Sequence, residues 1–248
     1  MNLPTSKERD GFIGLKDFRG DLIRLFQKHG FIYHSEVVIW KDPVTAMQRT
    51  KALGLLHKQL RKDSCMSRQG IPDFLVTMRK SGENDARVAG LLDRFAGDMD
   101  DAEFEAACRA AYNEQQESTE REELMPYADF KSIFIWQRYA SPVWMDINPS
   151  DTLQYRSARE DKDERHIAPL QLQVIERGLQ LWSSPGDLVL SPFAGIGSEG
   201  YVAIRNKRRF AGFELKESYF KQACANLEYA ATHADAQSEM FAIDSEGW

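Results

Sequence analysis

Cysteine is scarce in this sequence. Cys65, Cys108 and Cys224 stand far apart and form no C-x-x-C pair, which excludes a disulfide framework and a thiolate zinc site and fits a reducing compartment. The five histidines, His29, His34, His57, His166 and His233, show no metal-ligand spacing, so no metal site is expected. No apolar run reaches the roughly eighteen residues that a membrane-spanning helix requires, and the first residues lack the apolar core of a signal peptide. A soluble, cytoplasmic protein is expected, with no membrane partner. Nine prolines occur, yet no two are adjacent. The formal charge of −6 by itself argues neither for nor against a polyanionic partner. A chain of 248 residues can bury a substantial core as one domain with an insertion.

What is present is concentrated between residues 187 and 215. Asp187 to Ser191 is a short apolar run between Pro185-Gly186 and Pro192, and Gly195, Gly197 and Gly200 follow in G-x-G-x-x-G spacing. Residues to Arg205 suit a helix, and Arg209 to Glu214 reads as a second strand. Glycines let the backbone turn sharply and approach a ligand, and a helix start offers unpaired N–H groups. Glu214 lies nineteen residues beyond Gly195, where a carboxylate can accept hydrogen bonds from both hydroxyls of a ribose. Strand, glycine turn, helix, strand and acid together point to an adenosine-containing cofactor.

The stretch Pro185-Gly186-Asp187 through Ser191-Pro192-Phe193-Ala194-Gly195-Ile196-Gly197, with Arg209-Phe210-Ala211-Gly212-Phe213-Glu214 after it, resembles the AdoMet motif of DNA amino-methyltransferases. These act on adenine N6 or cytosine N4. Arg165-His166-Ile167-Ala168-Pro169-Leu170 is similar to the family's segment flanking the methionine end of AdoMet, and Trp144-Met145-Asp146-Ile147 to the tryptophan–isoleucine element before it. The resemblance covers residues 12 to 80 and 130 to 230, in the permuted order that places the cofactor motif near the C-terminus. It implies a Rossmann-like α/β fold, AdoMet as cofactor, double-stranded DNA as substrate and a bacterial or phage-host cell. Ser191, Phe193, Ala194, Gly195, Gly197, Glu214 and His166 are the implied cofactor-binding residues.

Two departures qualify it. Ser191 stands where the family has aspartate. The family's (Asp/Asn/Ser)-Pro-Pro-aromatic tetrapeptide, which accepts hydrogen bonds from the target amine and stacks on the flipped base, is missing because the chain has no Pro-Pro. Asn148-Pro149-Ser150-Asp151 is the nearest imitation and reads as a loop. No catalytic residue is assigned. The expectation is an incomplete sheet, N-terminally shortened or split, whose central strand and catalytic loop are absent or come from a complementing chain; a homodimer is the other assembly considered. Two further classes stay open. One is a non-catalytic remnant or DNA-binding partner. The other is an NAD-dependent oxidoreductase, to which Pro192-Phe193 and residues 165–170 are foreign.

Charge patterning divides the rest. From Lys41 to Arg68 seven Lys or Arg face two Asp, and Leu53, Leu55, Leu56 and Leu60 are expected to pack one helical face. Arg49, Lys51, Lys58, Arg61 and Lys62 are then the candidate DNA-binding residues; an ordinary solvated face is the other reading. Ser81 to Asp129 holds fourteen Asp or Glu against four Arg and reads as an acidic helical or partly disordered insertion. The expected division is 1–80, a catalytic-side half; 81–130, the insertion; 131–233, the AdoMet-binding half; and 234–248, a polar tail. Helices are expected at Asp17–His29, Leu170–Trp182 and Lys216–Ala231. Strands are expected at Phe31–Trp40, Phe74–Met78, Leu188–Ser191, Arg209–Glu214 and Ile133–Trp136. Trp40 and Trp136 read as core.

Overall fold

The structure, a computed structural model, describes residues 3–5, 7–12, 14–45, 53–83, 88, 90–117, 125–154 and 169–245, with the backbone alone for 3–4, 53 and 234–245. The chain forms two compact units, residues 1–86 with 137–146 and residues 87–136 with 147–248. The acidic stretch after residue 86 therefore shares a unit with the glycine motif.

The first unit opens on an antiparallel pair, β1 (Leu3–Pro4) and β2 (Leu15–Lys16), with helix α1 (Lys7–Asp10) between them. Helix α2 (Phe18–Lys28) starts where the Asp17 carboxylate accepts the Gly20 N–H at 3.0 Å, and it ends before Gly30 at φ +82°. Its apolar residues Phe18, Leu22, Leu25 and Phe26 follow helical spacing but stay largely exposed. Strand β3 (Phe31–Ile39) pairs antiparallel with β4 (Asp73–Lys80). β5 (Val143–Trp144) adds in parallel on the other edge, giving the order β4-β3-β5. Arg19 joins α2 to this sheet through Glu36, at 2.6 Å, and its guanidinium lies 4.7 Å from the Phe74 ring centre. Trp144 is buried and donates its indole N–H to the Tyr139 carbonyl at 3.1 Å.

The expected helix over Leu53–Leu60 is not continuous. A 3-10 turn at Leu53–Leu55 and helix α3 (His57–Lys62) replace it, and Leu60 is exposed. Glycine at 54 and the extended Leu56 interrupt the spacing, so no apolar stripe forms there.

The second unit carries α4 (Asp101–Glu117) and α5 (Tyr127–Tyr139), the latter continuing into the first unit. The strand expected at Ile133–Trp136 is thus helical. Tertiary packing overrides the local β preference, since Phe134 packs on both Phe130 and Phe104, with Ile135 buried beside them. Trp136, one position round the helix, is 54% exposed, and Trp40, just past the end of β3, is 45% exposed. Neither is core. The acidic stretch buries Phe95, Ala96, Phe104 and Cys108, with the Phe95 and Phe104 rings stacked at 4.4 Å. It contributes buried residues to the core of this unit although it is rich in acidic side chains.

Helix α6 (Leu172–Trp182) buries Val174, Ile175 and Leu179, while Trp182 at its end is exposed. Buried Arg177 donates to the Ala96 carbonyl at 2.6 Å. Strands β6 (Leu188–Ser191) and β7 (Arg209–Gly212) pair in parallel, from Leu188 opposite Arg209 to Ser191 opposite Gly212. Helix α7 (Ser198–Arg205) joins them and packs Val202 and Ala203 against Ile175, Leu179, Val189 and Phe210. Arg208 ties the end of α6 to the turn before β7 by donating to the carbonyls of Leu179, Ser183 and Asn206. Helix α8 (Glu217–Ser245) runs well beyond the expected Ala231. No described helix is long and apolar enough to cross a membrane.

Candidate cofactor site

The end of β6 builds the site. The ladder continues past both strands: Phe213 N–H donates to the Ser191 carbonyl at 3.0 Å and Ala194 N–H to the Phe213 carbonyl at 2.8 Å. Gly197 N–H then donates to the Ala194 carbonyl at 2.8 Å and closes the turn. Gly195 sits at φ +54° and Gly197 at φ +85°, both in the left-handed region that glycine enters without steric cost.

The three glycines serve different ends. A Cβ at Gly195 would meet nothing within 4 Å, so its side-chain direction is open. A Cβ at Gly197 would lie 3.1 Å from the Ala223 Cβ, so α8 fills that direction. A Cβ at Gly200 would lie 2.5 Å from Leu227 Cδ2 and 2.6 Å from Phe210 Cδ1. Gly200 is therefore required by close packing of α7 against β7 and α8, and only Gly195 faces space that a ligand could occupy.

Glu214 is anchored by the same turn. One carboxylate oxygen accepts the Gly195 N–H and the other the Lys216 N–H, each at 2.9 Å. A carboxylate offers about four lone-pair sites, so each oxygen keeps capacity for a hydroxyl donor. Phe193, Phe213 and Leu215 stand exposed around the turn, Phe193 at 87%. Ser191 and Ala194 are buried at its floor. Burial pushes the Glu199 carboxyl, in the first turn of α7, above the usual carboxylate range.

Ser191, Phe193, Ala194, Gly195, Gly197 and Glu214 are thus gathered within one turn and its two strands. His166, Arg49 and Lys51 lie outside the described residues. Lys58, Arg61 and Lys62 are exposed on α3 in the first unit. Asn148–Asp151 is a turn, in which the Asn148 side chain accepts the Ser150 N–H at 2.9 Å. No group of three or more His, Cys, Asp or Glu among the described residues could hold a metal. Sequence reasoning missed Asn226, whose amide donates to the Ile196 carbonyl at 2.8 Å. Its one signal is a polar residue beside Ala223 and Leu227 on the packed face of α8.

The sequence profile of the N6/N4 DNA methylases matches residues 11–225. The chain belongs to the DNA methylase family. Among curated relatives, the DNA adenine methyltransferase YhdJ of Escherichia coli K12 is 35% identical over 74 residues, covering 30% of this chain and 25% of its own. The type II methyltransferase M.BglII of Bacillus subtilis is 36% identical over 74 residues, covering 29% and 21%. The matched part spans about a quarter of these relatives' length. TTHA0409 of Thermus thermophilus, solved with S-adenosyl-L-methionine, superimposes with a TM-score of 0.52 at 19% identity, over 93% of this methylase and 67% of that protein. The likeness identifies the fold as Rossmann-like α/β, and membership in the methylase family sets aside the dehydrogenase reading of the glycine motif.

Proposed function

We propose that this methylase binds AdoMet at the turn Phe193–Gly197 and serves methyl transfer to the exocyclic amine of adenine (N6) or cytosine (N4) in double-stranded DNA. The observation that carries the reading is the open side-chain direction of Gly195 beside the anchored Glu214 carboxylate. Glu214 would accept the ribose hydroxyls, Phe193 would cover the adenosine and Gly195 would admit it. AdoMet supplies a methyl group already activated on sulfonium, so the protein's task is alignment.

The test is titration calorimetry on the 248-residue chain. Glu214→Ala removes the charged ribose acceptor and two backbone anchors of the turn, and should weaken AdoMet by about 1.5 to 3 kcal/mol. Glu214→Gln keeps one acceptor oxygen and should lose less. Tighter binding of NAD than of AdoMet would overturn the assignment.

The acceptor of the target amine has no candidate among these residues, so a complementing polypeptide is part of the proposal. Among the described residues β6 pairs only with β7, and its Leu188 and Leu190 are 57% and 59% exposed. Parallel strands are normally covered on both faces, so the exposed leucines support a further packed layer over β6. The Ser191 departure favours a second reading, a non-catalytic remnant; restoration of transfer by added polypeptide separates the two.

Lys58, Arg61 and Lys62 are proposed to meet DNA phosphates. Exchanging all three for Ala should flatten the dependence of log affinity on log salt by roughly 0.9 for each phosphate left unneutralised. An unchanged slope would make α3 an ordinary solvated helix.

A further inference from the structure

The cofactor turn is held from two sides. Glu214 fixes the Gly195 amide, and on the other side a relay reaches in from α8. Gln222 Nε2 donates to Asn226 Oδ1 at 3.1 Å, and Asn226 Nδ2 donates to the Ile196 carbonyl at 2.8 Å. The Gln222 contact decides which end of the Asn226 amide faces the turn, because an oxygen already accepting leaves the NH2 group for Ile196.

Gly197, at φ +85°, is the position where the backbone of this turn has the widest conformational choice. Glycine tolerates both signs of φ, so the peptide between Ile196 and Gly197 could flip there with little steric resistance. A flip would reverse the Ile196 carbonyl and withdraw the Gly197 N–H from the Ala194 carbonyl, undoing the bond that closes the turn. Ile196 and Gly197 are buried, so a carbonyl turned away from Asn226 would not readily find water instead. Asn226 therefore adds a hydrogen bond to the observed conformation of a turn whose glycine would sterically admit the other sign of φ as well.

We propose that Asn226, oriented by Gln222, is a positioning residue that holds the Ala194–Gly197 turn in its ligand-ready form before any ligand arrives. For AdoMet affinity this rests on the function proposed above; for the turn itself it does not. Asn226→Asp is the informative variant, since it keeps the shape and the Gln222 contact but sets an acceptor against the Ile196 carbonyl. Gln222→Leu is the second, leaving Asn226 in place but unoriented.

Hydrogen–deuterium exchange across Ala194–Ser198 in the ligand-free chain should rise about tenfold at Gly197 in Asn226→Asp, and less in Gln222→Leu. AdoMet should bind about tenfold more weakly to Asn226→Asp, and the two substitutions combined should fall short of additive. Unchanged exchange at Gly197 in both variants overturns the inference. So does wild-type AdoMet affinity in Asn226→Asp, or strict additivity of the pair. If the wild-type chain fails to bind AdoMet, the functional reading falls, and the exchange measurement alone decides the role of Asn226.

Discussion

The 248-residue chain should bind AdoMet and yet transfer no labelled methyl group to duplex DNA. Binding and turnover separate because their residues do. The turn that would hold the cofactor is formed and internally bonded, whereas the sequence contains no Pro-Pro-aromatic segment to accept the amine's hydrogen bonds and stack on the base. Positioned proton acceptance contributes on the order of 10²- to 10⁴-fold, and orientation of the reactants contributes more, so their joint loss removes measurable transfer. Adding a polypeptide that carries a strand and this loop should restore it. No restoration, with AdoMet binding intact, would favour the remnant reading. Robust methylation by the chain alone would sink the idea and direct attention to Asn148–Asp151. That turn is a poor substitute, since the Asn148 side chain is engaged by the Ser150 amide and its N–H by Gln173 at 2.8 Å.

Substitution of the motif glycines should produce opposite phenotypes. Gly195→Asn should abolish AdoMet binding while the fold persists. Nothing lies within 4 Å of the new Cβ, asparagine tolerates the left-handed backbone, and the side chain fills the space assigned to ligand. Gly195→Val should bind no better and cost a further 1 to 3 kcal/mol or so in strain at φ +54°. Gly200→Val should instead lower the thermal midpoint of the ligand-free chain. Its Cβ would collide with Leu227 and Phe210, and overpacking of this kind costs typically about 1 to 3 kcal/mol. Calorimetry and thermal unfolding on the same preparations separate the two. Wild-type affinity in Gly195→Asn would remove the site from this turn.

The elements with one dominant local signal were legible in the sequence. Asp17 and Gly30 bracket α2 almost to the residue, and Pro185-Gly186 and Pro192 bracket β6. The glycine turn was legible as a unit, but the division of labour among its glycines was not. Whether a missing Cβ faces a ligand or Ala223 depends on α8, which returns to the turn after residue 217. Ile133–Trp136 misled because its β-favouring residues pack on α4, a partner that no local pattern shows. Trp40 and Trp136 misled because size and hydrophobicity do not determine which side of an element a residue occupies. Asn226 was hidden because its partner lies thirty residues away.

The pairing of β6 with β7 alone, among the described residues, also bears on how the protein behaves in the test tube. A strand with one edge unpaired among the described residues, and with leucines 57% and 59% exposed, is a template for any extended segment, including the same strand of another copy. Edge-to-edge pairing of that kind should show as self-association that grows with protein concentration in light scattering, and a monomer at all concentrations would mean that the edge is covered. A dimer detected at high protein concentration reports stickiness of that edge before it reports biological assembly. Coexpression with a polypeptide that supplies a pairing strand should raise the soluble yield even where no methylation is measured.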